Sequence, residues 1–219
     1  TIMRLTRFFV VPSALLVALV AAVLTLVAPS RAQQRTDLEV ATFAGGCFWC
    51  VEADFDKVDG VMSTISGFMG GEKKDVSYKE VTSGKAPGHL EVVQITFDPK
   101  KVSYERLLHI FWRTIDPLDA GGQFCDRGES YMTGIFAHSD AQQQAADASK
   151  RAIADGGRFK QPVATLIRPA SHFSKAEAYH QDFYKKDPGR YFSYRAGCGR
   201  DEREKALWGA EAGGGKATQ

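Results

Sequence analysis

Apolar and polar positions alternate over Leu38–Phe43, and after Gly45-Gly46 the apolar spacing changes to Phe48, Val51, Phe55 and Val58. This pattern predicts a strand, a tight turn and a helix in succession. A second alternating run, Gly60–Phe68, ends in the loop Gly70–Asp75, and a short segment, Tyr78–Val81, precedes the turn-rich Ser83–Gly88. The clearest strand is His89–Phe97, closed by Asp98-Pro99. Its alternation sets Glu91 in phase with Val93, Ile95 and Phe97, and out of phase with Gln94 and Thr96. The next helix is capped by Ser103 and carries Tyr104, Leu107, Leu108, Phe111, Trp112 and Ile115 on a broad apolar face that ends at Asp116-Pro117. Thr133–His138 reads as a strand, Ser139 starts an alanine- and glutamine-rich helix to about Asp155, Val163–Ile167 is another strand, and Ser174–Tyr184 a short helix. From Asp187 onward glycine, arginine and serine dominate, which predicts a long irregular C-terminal tail, frayed after about residue 209. Consecutive strands with no helix between them favour a mixed α+β fold over a doubly wound parallel sheet.

Composition narrows the function classes. A chain of 219 residues, 44% hydrophobic, suffices for one globular core beyond any targeting segment. With 28 basic against 26 acidic residues, charge gives no reason to invoke nucleic acid. The four cysteines are too few for a disulfide scaffold, and only Cys47 and Cys50 lie close together, so no metal site is expected. Arg4 and Arg7 precede the apolar run Phe8–Ala28, and Ser30-Arg31-Ala32 has the small residues of a cleavage site before Gln33. Residues 1–32 therefore read as a secretory signal peptide or, if uncleaved, an N-terminal membrane anchor, leaving residues 33–219 as a domain exported to the periplasm or secreted. In such an oxidising space, nucleophilic cysteines need a dedicated reducing partner.

The candidate chemistry centres on Gly45–Glu52. The two glycines place Cys47 at or just before a helix N-terminus, where unpaired N–H groups and the helix dipole stabilise a thiolate; Phe48 and Trp49 supply apolar walls. The same residues also suit a buried cysteine among core aromatics, or a thioredoxin-like dithiol built on Cys47-Phe48-Trp49-Cys50. Glu91, on the core side of its strand, is desolvated, which raises its pKa and favours a neutral acid; a salt-bridged carboxylate at a strand start is the plainer alternative. The loop Gly121–Tyr131 is dense in hydrogen-bonding groups, and Cys198, between two glycines, reads as a mobile thiol.

Gly46-Cys47-Phe48-Trp49 with Glu52 and Phe55, then Gly60-Val61, Gly70-Gly71, Tyr78, Gly88–Val93, Asp98-Pro99, Phe111-Trp112, Asp116-Pro117, Asp126-Arg127-Gly128 with Tyr131, and Tyr179-His180-Gln181 together resemble the type A peptide methionine sulfoxide reductases, in order from about Ala41 to Trp208. The resemblance implies a two-layer α+β fold with a ferredoxin-like core, and thiol-dependent reduction of the S epimer of methionine sulfoxide, free or in proteins. Carried over, Cys47 is the nucleophile, Phe48 and Trp49 hold the substrate methyl group, Glu91 is the acid at the sulfoxide oxygen, Tyr78 and Tyr131 donate hydroxyls, and Asp126 belongs to the same polar cluster. A sulfenic acid on Cys47 then condenses with a second thiol. Cys198 ranks first for that role, before Cys50 and Cys125. The implied partners are the sulfoxide and a thioredoxin-like reductant; no cofactor is implied, and the enzyme is expected to be a monomer. Phe68, Met132 and Ser174-Lys175 depart from the family's usual residues at those positions.

Overall fold

The computed structural model describes residues 37–214. The segment 1–32, read as signal peptide or anchor, lies outside them. Strand β1 (Glu39–Gly45) leads into helix α1 (Phe48–Phe55), then β2 (Val61–Met69), a one-turn helix α2 (Tyr78–Thr82), β3 (Leu90–Phe97) and α3 (Tyr104–Arg113). A short hairpin of β4 (Gly122–Gln123) and β5 (Asp126–Arg127) precedes β6 (Thr133–Ala137), α4 (Asp140–Asp155), β7 (Leu166–Pro169) and β8 (Ser174–Lys175). Three helices, α5 (Phe183–Lys186), α6 (Pro188–Gly197) and α7 (Arg200–Trp208), and then a 3-10 segment, Gly209–Gly214, where fraying was expected, close the described chain. No described helix is long and apolar enough to cross a membrane.

The main sheet has the order β7-β6-β1-β3-β2-β8. Every pair is antiparallel except β6 with β7. Within it, β6-β1-β3-β2 with α1 and α3 as crossovers is the ferredoxin-like core that the resemblance implied. The alternation of β3 decides what faces what. Val93, Ile95 and Phe97 join Phe48, Val51 and Phe55 of α1 and Leu107, Leu108 and Phe111 of α3 in one core, while Leu90 and Val92 turn to a smaller cluster with Met69 and Phe136 on the other face. Glu91 shares the parity of Val93 and so enters the layer between sheet and helices, where it is 2% exposed.

Two local expectations are corrected. Ser174–Tyr184 is not a helix: its first two residues add β8 to the edge of β2, pairing Phe68 with Ser174, and helix begins only at Phe183. The stretch after Asp187, expected to be an irregular tail, is mostly helical. Asp187 caps α6 by accepting the Arg190 N–H at 3.1 Å, Pro188 occupies the first turn, and Arg195 ties the helix to Asp54 of α1 at 3.0 Å through both carboxylate oxygens. Capping and tertiary ion pairing override a glycine-rich composition.

Candidate active site

The approach to α1 is built by Gly46, whose φ of +78° favours glycine and whose missing Cβ leaves room for Gln123 of the β4–β5 hairpin; a Cβ there would lie 2.5 Å from that side chain. The chain thus turns so that Cys47 becomes the N-cap of α1, with its carbonyl accepting from Cys50 N–H at 3.1 Å. The first helical amide, Phe48 N–H, donates to Glu91 Oε2 at 3.0 Å. One orphan amide of the helix start therefore fixes the carboxyl of a distant strand beside the thiol.

A cavity of about 250 Å³ is lined by Cys47, Phe48, Trp49, Tyr78, Glu91, Asp126, Tyr131, Arg190 and Tyr194. The first seven of these are the residues singled out from the sequence. They come from α1, α2, β3, the hairpin and a 3-10 turn at Glu129–Tyr131, and are brought together only by the fold. A larger cleft of about 500 Å³, near Glu39, Glu105 and Ser139, contains none of them.

Burial sets the protonation states. Glu91 is pushed from 4.5 up to about 8, first by desolvation and further by the nearby charge of Asp126, against the Phe48 hydrogen bond, so it is a neutral acid at neutral pH. Tyr78 and Tyr131 are hydrogen-bonded to each other, and desolvation raises both phenols. Asp126 is also raised by burial; it accepts a very short hydrogen bond from the Tyr194 hydroxyl. Trp49 stacks on Phe183 with ring centroids 3.7 Å apart and donates Nε1–H to His180 Nδ1 at 3.0 Å, which fixes the indole as a wall of the cavity.

The cysteines divide into two pairs. Cys47 and Cys50 are free, buried and hydrogen-bonded to each other. Cys125, at the hairpin tip, is joined to Cys198, at the C-cap of α6, in a disulfide with a Cα–Cα distance of 4.9 Å. Cys198 is therefore not the mobile thiol its glycine neighbours suggested. Within the free pair, the Cys47 hydrogen bond draws Cys50 down to about 7, helped by the charges of Arg200 and Arg195. Desolvation, then Cys50 and Glu91, push Cys47 up. The acidic member of the resting pair is thus Cys50, opposite to the expectation from the helix N-terminus alone. Position still distinguishes them: Cys47 lines the cavity, whereas Cys50 packs behind it with Ala53, Phe183 and Tyr191.

Sequence reasoning missed Tyr194, Arg190 and Arg200. Arg200 is 2% exposed and donates to the carbonyls of Gly45 (3.0 Å) and Thr114 (2.8 Å) and to Glu204 (3.1 Å), so it braces the turn before Cys47. Glu52 in α1, buried and pushed up to about 7 by desolvation, accepts from Asp182 N–H at 3.0 Å and anchors the segment carrying Phe183. The signal that could have found Tyr194 is the Asp187-Pro188 helix start, which carries the tyrosine on the helix that follows.

A cavity-facing thiol with a second thiol behind it and a neutral carboxylic acid beside it defines a cysteine-based oxidoreductase. The family model described as peptide methionine sulfoxide reductase matches residues 39–212. The chain is 51% identical over 173 residues to the Bacillus subtilis peptide methionine sulfoxide reductase MsrA, covering 79% of this chain and 97% of that protein. It is 48% identical over 174 residues to that of Listeria welshimeri, covering 80% and 98%. Among solved structures, reduced Mxr1 of Saccharomyces cerevisiae superimposes with a TM-score of 0.66 at 33% identity over 71% of this chain and 89% of that one. The methionine sulfoxide reductase A of Corynebacterium diphtheriae gives 0.62 at 27% identity, over 71% and 77%. The chain belongs to the type A peptide methionine sulfoxide reductases and is an oxidoreductase of the peptide-methionine (S)-S-oxide reductase class.

Proposed function

We propose that Cys47 reduces methionine-S-sulfoxide with Glu91 as proton donor and that Cys50 resolves the product. The observation that carries this reading is the Phe48 amide bond to Glu91, which holds a neutral carboxyl at the cavity wall next to Cys47. A sulfoxide oxygen leaves poorly until it is protonated, so a thiolate and an undissociated acid must meet at one substrate. Cys47 attacks the sulfoxide sulfur, Glu91 protonates the oxygen, and the oxygen passes to Cys47 as a sulfenic acid while methionine leaves. Tyr78 and Tyr131 donate to the same oxygen, Phe48 and Trp49 enclose the methyl group, and Asp126 completes the polar wall.

Condensation of the sulfenic acid with Cys50 releases water and forms a Cys47–Cys50 disulfide. What favours Cys50 over Cys198 is that its sulfur already contacts Cys47, whereas Cys198 is bonded to Cys125. An external dithiol of the thioredoxin type then exchanges with the new disulfide. The arginine-flanked apolar segment within residues 1–32 supports export, and hence repair of oxidised proteins outside the cytoplasm. Mass spectrometry after a single turnover without reductant tests the assignment. A Cys47–Cys50 disulfide is expected in the wild type and a Cys47 sulfenic acid in Cys50→Ser; a bond from Cys47 to Cys198 would overturn the role of Cys50.

A further inference from the structure

The resting pair poses a problem for this chemistry, because burial pushes the Cys47 thiol up and the hydrogen bond from Cys47 draws Cys50 down, while it is Cys47 that lines the cavity. Tyr194 answers it. The residue sits on α6, lines the cavity, meets Trp49 edge-on with ring centroids 5.7 Å apart, and places its hydroxyl between the Asp126 carboxylate and the Cys47 sulfur. A phenol has a single hydrogen, so it serves one of these two neighbours at a time.

Both ends of the Asp126–Tyr194 contact are tied to the same covalent bond. Cys125 immediately precedes Asp126, and Cys198 lies one helical turn beyond Tyr194, donating its N–H to the Tyr194 carbonyl at 2.9 Å. The hairpin end of the tie is itself held: Gln123 bonds Asp116 at 2.8 Å in both directions, and Phe124 packs 4.4 Å from the Arg200 guanidinium. Opening the disulfide therefore frees the C-terminal end of α6 from an anchored hairpin, leaving Arg195 as the contact to Asp54.

We propose that Tyr194 is a further catalytic residue, held by the Cys125–Cys198 disulfide so that its hydroxyl hydrogen turns from Asp126 to the Cys47 sulfur and places the thiolate on the cysteine that faces the substrate. The protons balance within the cluster: Cys47 passes its proton to Cys50 along their hydrogen bond, and the phenol reorients without ionising. Asp126, released from the phenol, remains a cavity-wall carboxyl. A soluble dithiol that opens the tie is itself oxidised to a disulfide and leaves Cys125 and Cys198 as two thiols. Opening the tie slows the attack by Cys47 through the placement of Tyr194, with no covalent change at Cys47.

The test is alkylation of Cys47 by iodoacetamide across pH, read by peptide mapping on full-length protein with the tie intact, alongside the single-turnover rate on methionine-S-sulfoxide. In Tyr194→Phe the Cys47 profile is expected to move up by about one pH unit or more, and the turnover rate to fall roughly 10- to 100-fold, the worth of a hydrogen bond to a charged group. The Cys125→Ser/Cys198→Ser protein is expected to show a smaller change in the same direction, and adding Tyr194→Phe to it should cost less than in the wild type. Unshifted alkylation in Tyr194→Phe would refute the catalytic role, and fully additive losses would refute the tie. The inference rests on the sulfoxide-reductase reading only for its rate measurement. Failure of that reading shows as a wild type that turns over no sulfoxide, whereas failure of this inference shows as superimposed alkylation profiles.

Discussion

Replacing Glu91 with glutamine separates the protonation of the buried acid from its shape. The amide keeps an oxygen to accept Phe48 N–H at the 3.0 Å position and nearly the same volume, but cannot ionise. In the native protein the carboxyl is held from 4.5 up to about 8, so between these values the folded state binds a proton that the unfolded state has lost. Stability supplied by this group is fully present below 4.5 and declines as pH rises through 8. At 1.36 kcal/mol per pKa unit, the decline between pH 5 and pH 8 is roughly 3 to 4 kcal/mol. Glutamine removes it, at a fixed cost of roughly 1 to 3 kcal/mol for the extra buried N–H donor. Urea unfolding of both proteins at the two pH values is the assay. Relative to the wild type, Glu91→Gln should gain roughly 3 to 4 kcal/mol on going from pH 5 to pH 8, and its sulfoxide reduction should be slow at both. A stability difference that does not change with pH would refute the neutral-acid assignment, because other titrating groups such as Glu52 and Glu204 are common to both proteins and cancel.

Two substitutions probe the frame around Cys47. Gly46→Ala forces a φ of +78° on a residue with a Cβ and drives that atom to 2.5 Å from Gln123; a loss of roughly 2 to 4 kcal/mol by thermal unfolding is expected, with reduced turnover because the N-cap moves. Arg200→Ala removes the nearer cation of buried Glu204, leaving Arg195 at 3.8 Å, and takes their guanidinium donor from the Gly45 and Thr114 carbonyls. It should destabilise by roughly 3 to 5 kcal/mol and raise the pH at which Cys50 ionises above about 7, as followed by thiolate absorbance.

How much of the site was legible in the sequence depended on whether the signal was local. Cys47 was legible because Gly45-Gly46 and the change of apolar period both mark a strand–turn–helix junction. Glu91 was legible because a strand's alternation alone assigns its face. Tyr78 entered only through family resemblance, and Asp126 and Tyr131 stood out only as part of a polar loop until the resemblance gave them roles: they belong to α2, the hairpin and a 3-10 turn, and no local period brings those segments to one cavity. The C-terminal region was misread because its composition suggested a tail, although Asp187-Pro188 is a helix start in plain view. That error hid Tyr194 and made Cys198 look free. The Cys125–Cys198 pairing spans 73 residues, a separation at which sequence carries no geometric information. The inversion of acidity between Cys47 and Cys50 was likewise out of reach, since it depends on the burial of Cys47, on the hydrogen bond between the two thiols, and then on Arg200 and Arg195 approaching from α7 and α6.

The most direct measurement is product analysis with the two epimers of methionine sulfoxide offered separately to the purified protein in the presence of dithiothreitol. Methionine should form from the S epimer and not from the R epimer, and Cys47→Ser should form none. Turnover of neither epimer by the wild type, or S-epimer turnover that survives the loss of Cys47, would contradict the assignment of this cavity as the sulfoxide-reducing site.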